Sequence, residues 1–217
     1  MSLKPRILIV GGYGAFGARA AERLSREPGF EIVVAGRSQA KARQAAAQLA
    51  LTAVAKVEAA TFDAMKPDAA VLSAIAPTVV INASGPFQAQ DFGLARAAIG
   101  NGAHYIDLAD AAEFVTGFAR DRDLDQEARA HGVLATSGAS TVPALSAAVL
   151  DHFAPRFAML DVMRHGISPG NSFDPGPATT ASILSGLGQP FRMKRGGAWI
   201  TVHGWQGLSR HRFPDGA

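Results

Sequence analysis

Short apolar runs alternate with longer amphipathic stretches along the first two thirds of the chain. The runs at 7–10, 31–35, 54–62, 79–83, 105–108 and 133–136 read as strands, each bounded by turn residues or by a helical pattern. Between them, 15–26, 39–51, 67–75, 90–99 and 111–130 carry helical spacing. The first of these is closed by Pro28-Gly29, and the last is interrupted near 120–123. In 15–26 the apolar side chains Phe16, Ala20 and Leu24 fall on one face. Strictly alternating strands and helices with short, wholly apolar strands predict a parallel sheet covered on both sides, and right-handed crossovers make it doubly wound.

After Gly138 the texture changes. Residues 143–153 read as a helix leaving the sheet, 158–167 as a strand, 168–177 as a Pro- and Gly-rich loop, 178–187 as a helix and 198–205 as a strand. This predicts two domains, a Rossmann-type α/β domain over 1–142 and, over 143–217, a linker helix with the start of a second α/β domain. The chain is expected to stop inside that second domain.

Composition narrows the classes. The 217 residues are 48% hydrophobic and 18% charged, a globular balance that excludes intrinsic disorder. There is no cysteine, so disulfides, thiolate metal sites and cysteine nucleophiles are excluded. The net charge of +3 is scattered, without a Lys/Arg run, which argues against a nucleic-acid partner and suits a small anionic ligand. No apolar stretch is long enough to span a membrane, and the N-terminal run leads straight into a glycine turn and not to a signal cleavage site. A cytoplasmic location is the expectation. The six histidines show no metal-ligand spacing.

Gly12, Gly14 and Gly17 form G-x-G-x-x-G directly after a strand and at the opening of a helix, the context that makes this pattern a dinucleotide-binding turn. Free N–H groups at the helix start would hold a pyrophosphate. At the end of the second strand, where a preference for NAD needs an acidic residue, the chain has Gly36-Arg37-Ser38. A fixed guanidinium beside a hydroxyl suits a 2′-phosphate, so NADP(H) is expected over NAD(H). Asp63 follows the third strand, where a carboxylate meets the adenine amino group or caps the next turn. Ser84, Gly85 and Pro86 follow the fourth strand, either as a loop under the nicotinamide or as an ordinary turn. Tyr105 and Asp107 lie two apart at the end of the fifth strand and so share a face. They are acid–base candidates by side-chain type, or else they satisfy loop backbone groups. Tyr-x-x-x-Lys, the phosphate-loop motif and the G-x-S-x-G elbow are all absent.

Taken in order, ILIVGGYGAFG (7–17), VVAGRS (33–38), VVINASGPF (79–87), HYIDLAD (104–110) and SGASTVPALS (137–146) resemble the NADP-binding domain of the saccharopine dehydrogenase/reductase family. HGISPG (165–170) and GWQGLSRHRFPDG (204–216) resemble the start of that family's second domain. The resemblance implies contacts from Tyr13, Gly14, Ala15 and Phe16 to the pyrophosphate, from Arg37 and Ser38 to the 2′-phosphate and from Asp63 to adenine. It places Ser84, Gly85 and Pro86 near the nicotinamide. It also implies a second domain that closes the site and often forms a homodimer. Where many members read G-F-D-S-V-P, this chain has Gly138-Ala139-Ser140-Thr141-Val142-Pro143. Ser140 thus replaces an acid expected to meet a substrate amino group, which argues against saccharopine itself as the substrate. The implied function is an NADP-dependent oxidoreductase acting on a small carbonyl, imine or amino-acid-derived substrate. The alternatives are a non-catalytic NAD(P)-binding redox sensor or scaffold, and an enoyl reductase of the same broad family.

Overall fold

The computed structural model describes residues 4–167 and 176–207 of the chain. The described residues fall into two units, Met1–Met159 and Leu160–Ala217. In the first unit six strands form one sheet, in the order β3-β2-β1-β4-β5-β6. They are β1 (Arg6–Val10), β2 (Glu31–Gly36), β3 (Lys56–Thr61), β4 (Val79–Asn82), β5 (His104–Asp107) and β6 (Ala135–Thr136). Every pairing is parallel. The connecting helices are α1 (Ala15–Ser25), α2 (Gln39–Ala50), α3 (Ala69–Ile75), α4 (Gly93–Gly100), α5 (Ala112–Arg120) and α6 (Arg122–Ala130), and α7 (Ser146–Phe153) follows the sheet. This is the Rossmann-type doubly wound arrangement. The chain reverses its direction across the sheet between the neighbours β1 and β4, the switch point where such folds bind ligands.

The strand residues divide by parity between two cores, as a sheet covered on both faces requires. Leu8, Val10, Val33, Ala35, Val80 and Tyr105 belong to one, while Ile7, Ile9, Ile32 and Val34 belong to the other. Four aromatic rings, Phe92, Phe114, Phe118 and Tyr105, pack in the first core, with Tyr105 stacked on Phe118 at a centroid distance of 5.9 Å.

Helix α1 packs by its small residues. Phe16 is exposed, and the face buried against the sheet is Gly17, Ala21 and Ser25. Small residues win here because α1 approaches β1 too closely for a phenylalanine to intervene. The expected break in 111–130 is real. Asp121 adopts extended backbone between α5 and α6, and its side chain accepts from the Leu124 amide (2.9 Å), capping α6. The helix expected at 90–99 begins three residues later, at Gly93, after a single turn at Phe87–Ala89.

Where a helix over 143–153 was expected, the structure has a wide turn over Thr141–Leu145 and then α7, which groups with the first unit. Considered by itself, the second unit holds α8 (Gly176–Ser185) and an antiparallel hairpin of β7 (Pro190–Arg195) and β8 (Ala198–His203). No strand forms over 158–167; those residues are exposed and make no strand pairing among the described residues. Strand β7, absent from the sequence reading, forms because Gly196-Gly197 folds it back onto β8. Most of the loop expected at 168–177 lies outside the described residues.

Candidate functional site

The loops at the carboxyl ends of β1, β2, β4, β5 and β6 form one side of the sheet. The glycine turn after β1 is held from beneath, because the Gly11 and Gly12 amides both donate to the Ala35 carbonyl at the end of β2 (2.9 and 3.0 Å). Gly11 has φ +81°, and a Cβ there would fall 2.8 Å from the Ala83 carbonyl group, so β1 and β4 touch backbone to backbone at the switch point. A Cβ at Gly17 would lie 2.2 Å from the Gly11 oxygen, which lets α1 start directly above β1. Gly14 caps α1 with no side-chain acceptor, and the first turn holds no acidic residue. The helix therefore presents free amides and the positive end of its dipole to whatever fills the turn. An oxyanion such as a pyrophosphate fits this cradle, and a side chain at Gly17 or Gly11 would strike the Gly11 or Ala83 backbone and push apart the elements that form it.

The Tyr13 side chain reaches away from the turn that carries its backbone. Its ring rests on Gly36 at the end of β2, where a Cβ would fall 2.5 Å from the ring carbon Cε1 and 2.6 Å from the hydroxyl oxygen. Its hydroxyl accepts from the Ser38 amide (3.1 Å). Ser38 in turn caps α2, its side chain accepting from the Lys41 amide (3.4 Å). Arg37 is exposed, and Ala15 and Phe16 point outward from α1. One oxygen of Asp63 accepts from the Met65 amide (3.0 Å), so the carboxylate caps its own turn, immediately after Phe62 donates to the Gly36 carbonyl (3.0 Å).

The β4, β5 and β6 loops are joined by a buried polar network. Asn82, the last residue of β4, is 1% exposed. Its amide nitrogen donates to Gln90 (3.0 Å) and to the Tyr105 hydroxyl (3.2 Å). Its oxygen accepts from the Ser84 amide (3.1 Å) and the Ser84 hydroxyl (2.6 Å). Gln90 returns to the loop by donating to the Ser84 carbonyl (2.7 Å). The turn Ser84-Gly85-Pro86 is thereby pinned at Ser84, through its amide, hydroxyl and carbonyl.

Across the register from Asn82 stands Asp107. Its Oδ1 accepts from the Ala109 amide (3.0 Å), the Gly138 amide (2.9 Å) and the Ser137 hydroxyl (2.9 Å). Its Oδ2 is buried with no hydrogen-bond partner among the described residues. Burial pushes the Asp107 carboxyl above its ordinary value, against the opposing pull of the Gly138 and Ala109 amides. Burial, then the charge of Asp107, holds the Tyr105 phenol far above its usual range.

Neither member of this pair opens to the crevice, since Tyr105 is 1% and Asp107 0% exposed. Proton transfer, the role read for them from side-chain type, needs an atom within reach of a substrate. In this geometry Asp107 instead carries the loop backbone, the other reading its position allowed, and the Tyr105 hydroxyl accepts from the Asn82 side chain. Ser140 sits half-buried after β6 with its amide donating to the Gly138 carbonyl (2.7 Å), beside that same loop. The sequence reading passed over Asn82, Gln90 and Ser137. A lone asparagine closing an otherwise apolar strand was the available signal for the first.

Comparison with known proteins agrees with this architecture. A family model described as the saccharopine dehydrogenase NADP-binding domain matches residues 7–151. No curated protein sequence matches the chain. Among solved structures, the apo L-Glu-forming saccharopine dehydrogenase from Saccharomyces cerevisiae superposes with a TM-score of 0.50 at 17% identity, over 70% of this chain and 32% of that enzyme. The chain thus spans about a third of that enzyme's length. Sorbitol-6-phosphate 2-dehydrogenase from Erwinia amylovora gives 0.45 at 16% identity, over 69% of this chain and 78% of that one. A short-chain type dehydrogenase/reductase from Mycobacterium ulcerans gives 0.47 at 17%, over 63% and 67%. Among the described residues, no helix is long and apolar enough to cross a membrane.

Proposed function

The chain belongs to the saccharopine dehydrogenase NADP-binding domain family, and on that premise we propose that it is the cofactor-holding part of an NAD(P)-dependent oxidoreductase that prefers NADP(H). The observation that carries this reading is the β1–α1 turn: a side-chain-free cradle capped by unpaired helix amides, at the switch point of a six-stranded parallel sheet. Bound there, the nicotinamide supplies hydride chemistry. The chain's own residues bind and orient. The turn at Gly12 and Gly14, bare of side chains, admits the pyrophosphate, and the first amides of α1 hold it. Arg37 and Ser38 face the 2′-phosphate, and Asp63 offers its second oxygen toward adenine. The turn Ser84-Gly85-Pro86, pinned by Asn82 and Gln90, supports the nicotinamide side.

The substrate class is a small carbonyl, imine or amino-acid derivative, with Ser140 as its polar neighbour. The test is separate calorimetric titration of NADPH and NADH. Tight NADPH with weak NADH supports the reading. Comparable binding of both overturns the 2′-phosphate preference, and binding of neither overturns the cofactor reading.

The burial of Tyr105 and Asp107 favours a second reading, a non-catalytic NAD(P)-binding module. Oxidation of NADPH with any member of a carbonyl and imine panel would exclude it.

A further inference from the structure

Tyr13 connects two parts of the site that the chain keeps apart. Its backbone belongs to the phosphate-binding turn, and its side chain ends at the β2–α2 turn. The contact is built and not incidental. Gly36 has no side chain, and a Cβ there would overlap the tyrosine ring at 2.5–2.7 Å from Cε1, Cζ and Oη. The hydroxyl is then held by the Ser38 amide at 3.1 Å. The ring has one seat, and the phenolic oxygen one fixed donor to accept from.

A phenol has a single proton and can donate while it accepts. With the oxygen accepting from Ser38, the O–H remains to donate, and it lies beside the turn Gly36-Arg37-Ser38, which itself carries no carboxylate. An acceptor-only group suits that position, and a phosphate monoester gains more from it than a neutral ribose hydroxyl, because hydrogen bonds to charged oxygens are the stronger ones.

We propose that Tyr13 is a specificity-determining residue for the 2′-phosphate of NADP(H), with its phenolic O–H donating to a phosphate oxygen while its ring, seated on Gly36, forms the wall behind it. This rests on the cofactor reading above and adds to Arg37 a second, uncharged determinant supplied by the glycine turn itself.

The test is Tyr13→Phe, which keeps the ring on Gly36 and removes only the hydroxyl. NADPH, NADH, adenosine 2′,5′-bisphosphate and ADP are titrated into the chain and the variant, with thermal melting of both. The expected result is about tenfold or greater loss for NADPH and for adenosine 2′,5′-bisphosphate, with NADH and ADP barely changed. Gly36→Ala, which expels the ring, should give a loss at least as selective. Equal losses for phosphorylated and unphosphorylated ligands would make Tyr13 a structural clip only and overturn the proposal, as would unchanged NADPH affinity in Tyr13→Phe. If the unaltered chain binds none of the four, the underlying cofactor reading falls, and this proposal with it.

Discussion

Gly17 lies directly against the Gly11 carbonyl, so that a Cβ built on Gly17 falls 2.2 Å from that oxygen. The oxygen is backbone and cannot swing aside. Gly17→Ala must therefore push α1 away from β1, an overpacking cost of about 1–3 kcal/mol. Thermal melting should show a clear drop, accompanied by loss of NADPH binding as the α1 amides move. A variant that melts with the parent would show that the two elements do not approach this closely.

Arg37 is exposed, and in the proposed reading its charge meets the 2′-phosphate. Arg37→Ala should weaken NADPH by about 1.5–3 kcal/mol, the range for hydrogen bonds to charged groups. NADH should barely respond. Calorimetry with both cofactors decides the matter, and equal losses would remove Arg37 from the 2′ site.

Asp107 accepts three hydrogen bonds on one oxygen and none on the other. An asparagine keeps the accepting oxygen and puts a neutral group in the unpartnered place, so Asp107→Asn should hold the fold. Asp107→Ala strands three donors and should cost about 1–3 kcal/mol.

The pH dependence separates the charge from the geometry. Because the folded carboxyl sits above its ordinary value of 3.8, the native state binds the proton more tightly than the unfolded chain. The parent's stability from this group is therefore greatest in acid and falls as pH rises from that value through the folded one. Asparagine has no such loss. Denaturant melts should show Asp107→Asn gaining on the parent from acid toward neutral pH, and a variant that loses as much as Asp107→Ala at neutral pH would show that the charge itself is required.

Asp121 caps α6 and also binds Arg96 of α4 (2.7 Å). Asp121→Ala should destabilise by about 1 kcal/mol, the usual worth of an N-cap. The Leu124 amide first, and then Arg96, hold this carboxyl below its ordinary value of 3.8. Its contribution is therefore present above that value and disappears as pH falls through the folded one, so parent and variant should converge in acid.

Sequence reasoning reached what local periodicity and spacing encode. The six strands, their alternation with helices, the glycine turn and the break at Asp121 each follow from residues within a few positions of one another. It missed what depends on long-range contact. Tyr13 reads as a phosphate-turn residue until Gly36, 23 positions later, is seen to leave room for its ring. The apolar face of α1 read from Phe16, Ala20 and Leu24 does not tell which residues meet the sheet, and those are Gly17, Ala21 and Ser25. Tyr105 and Asp107 have the chemistry of an acid–base pair, and only their burial reveals the loops they carry. Strand β7 had no partner in the sequence reading, because pairing, not composition, makes it a strand.

The Asn82 amide also sets how the crevice fails. Its nitrogen end serves Gln90 and Tyr105, and its oxygen end serves the Ser84 turn. No other single side chain has both polarities at that length: aspartate satisfies only the donors, leucine neither. The Ser84 turn, proposed to support the nicotinamide, is thus hung on one hinge pin. When it loosens, the Ser84 turn, Gln90 and the Tyr105 wall go slack in one event, so the binding face is lost as a unit and not eroded contact by contact.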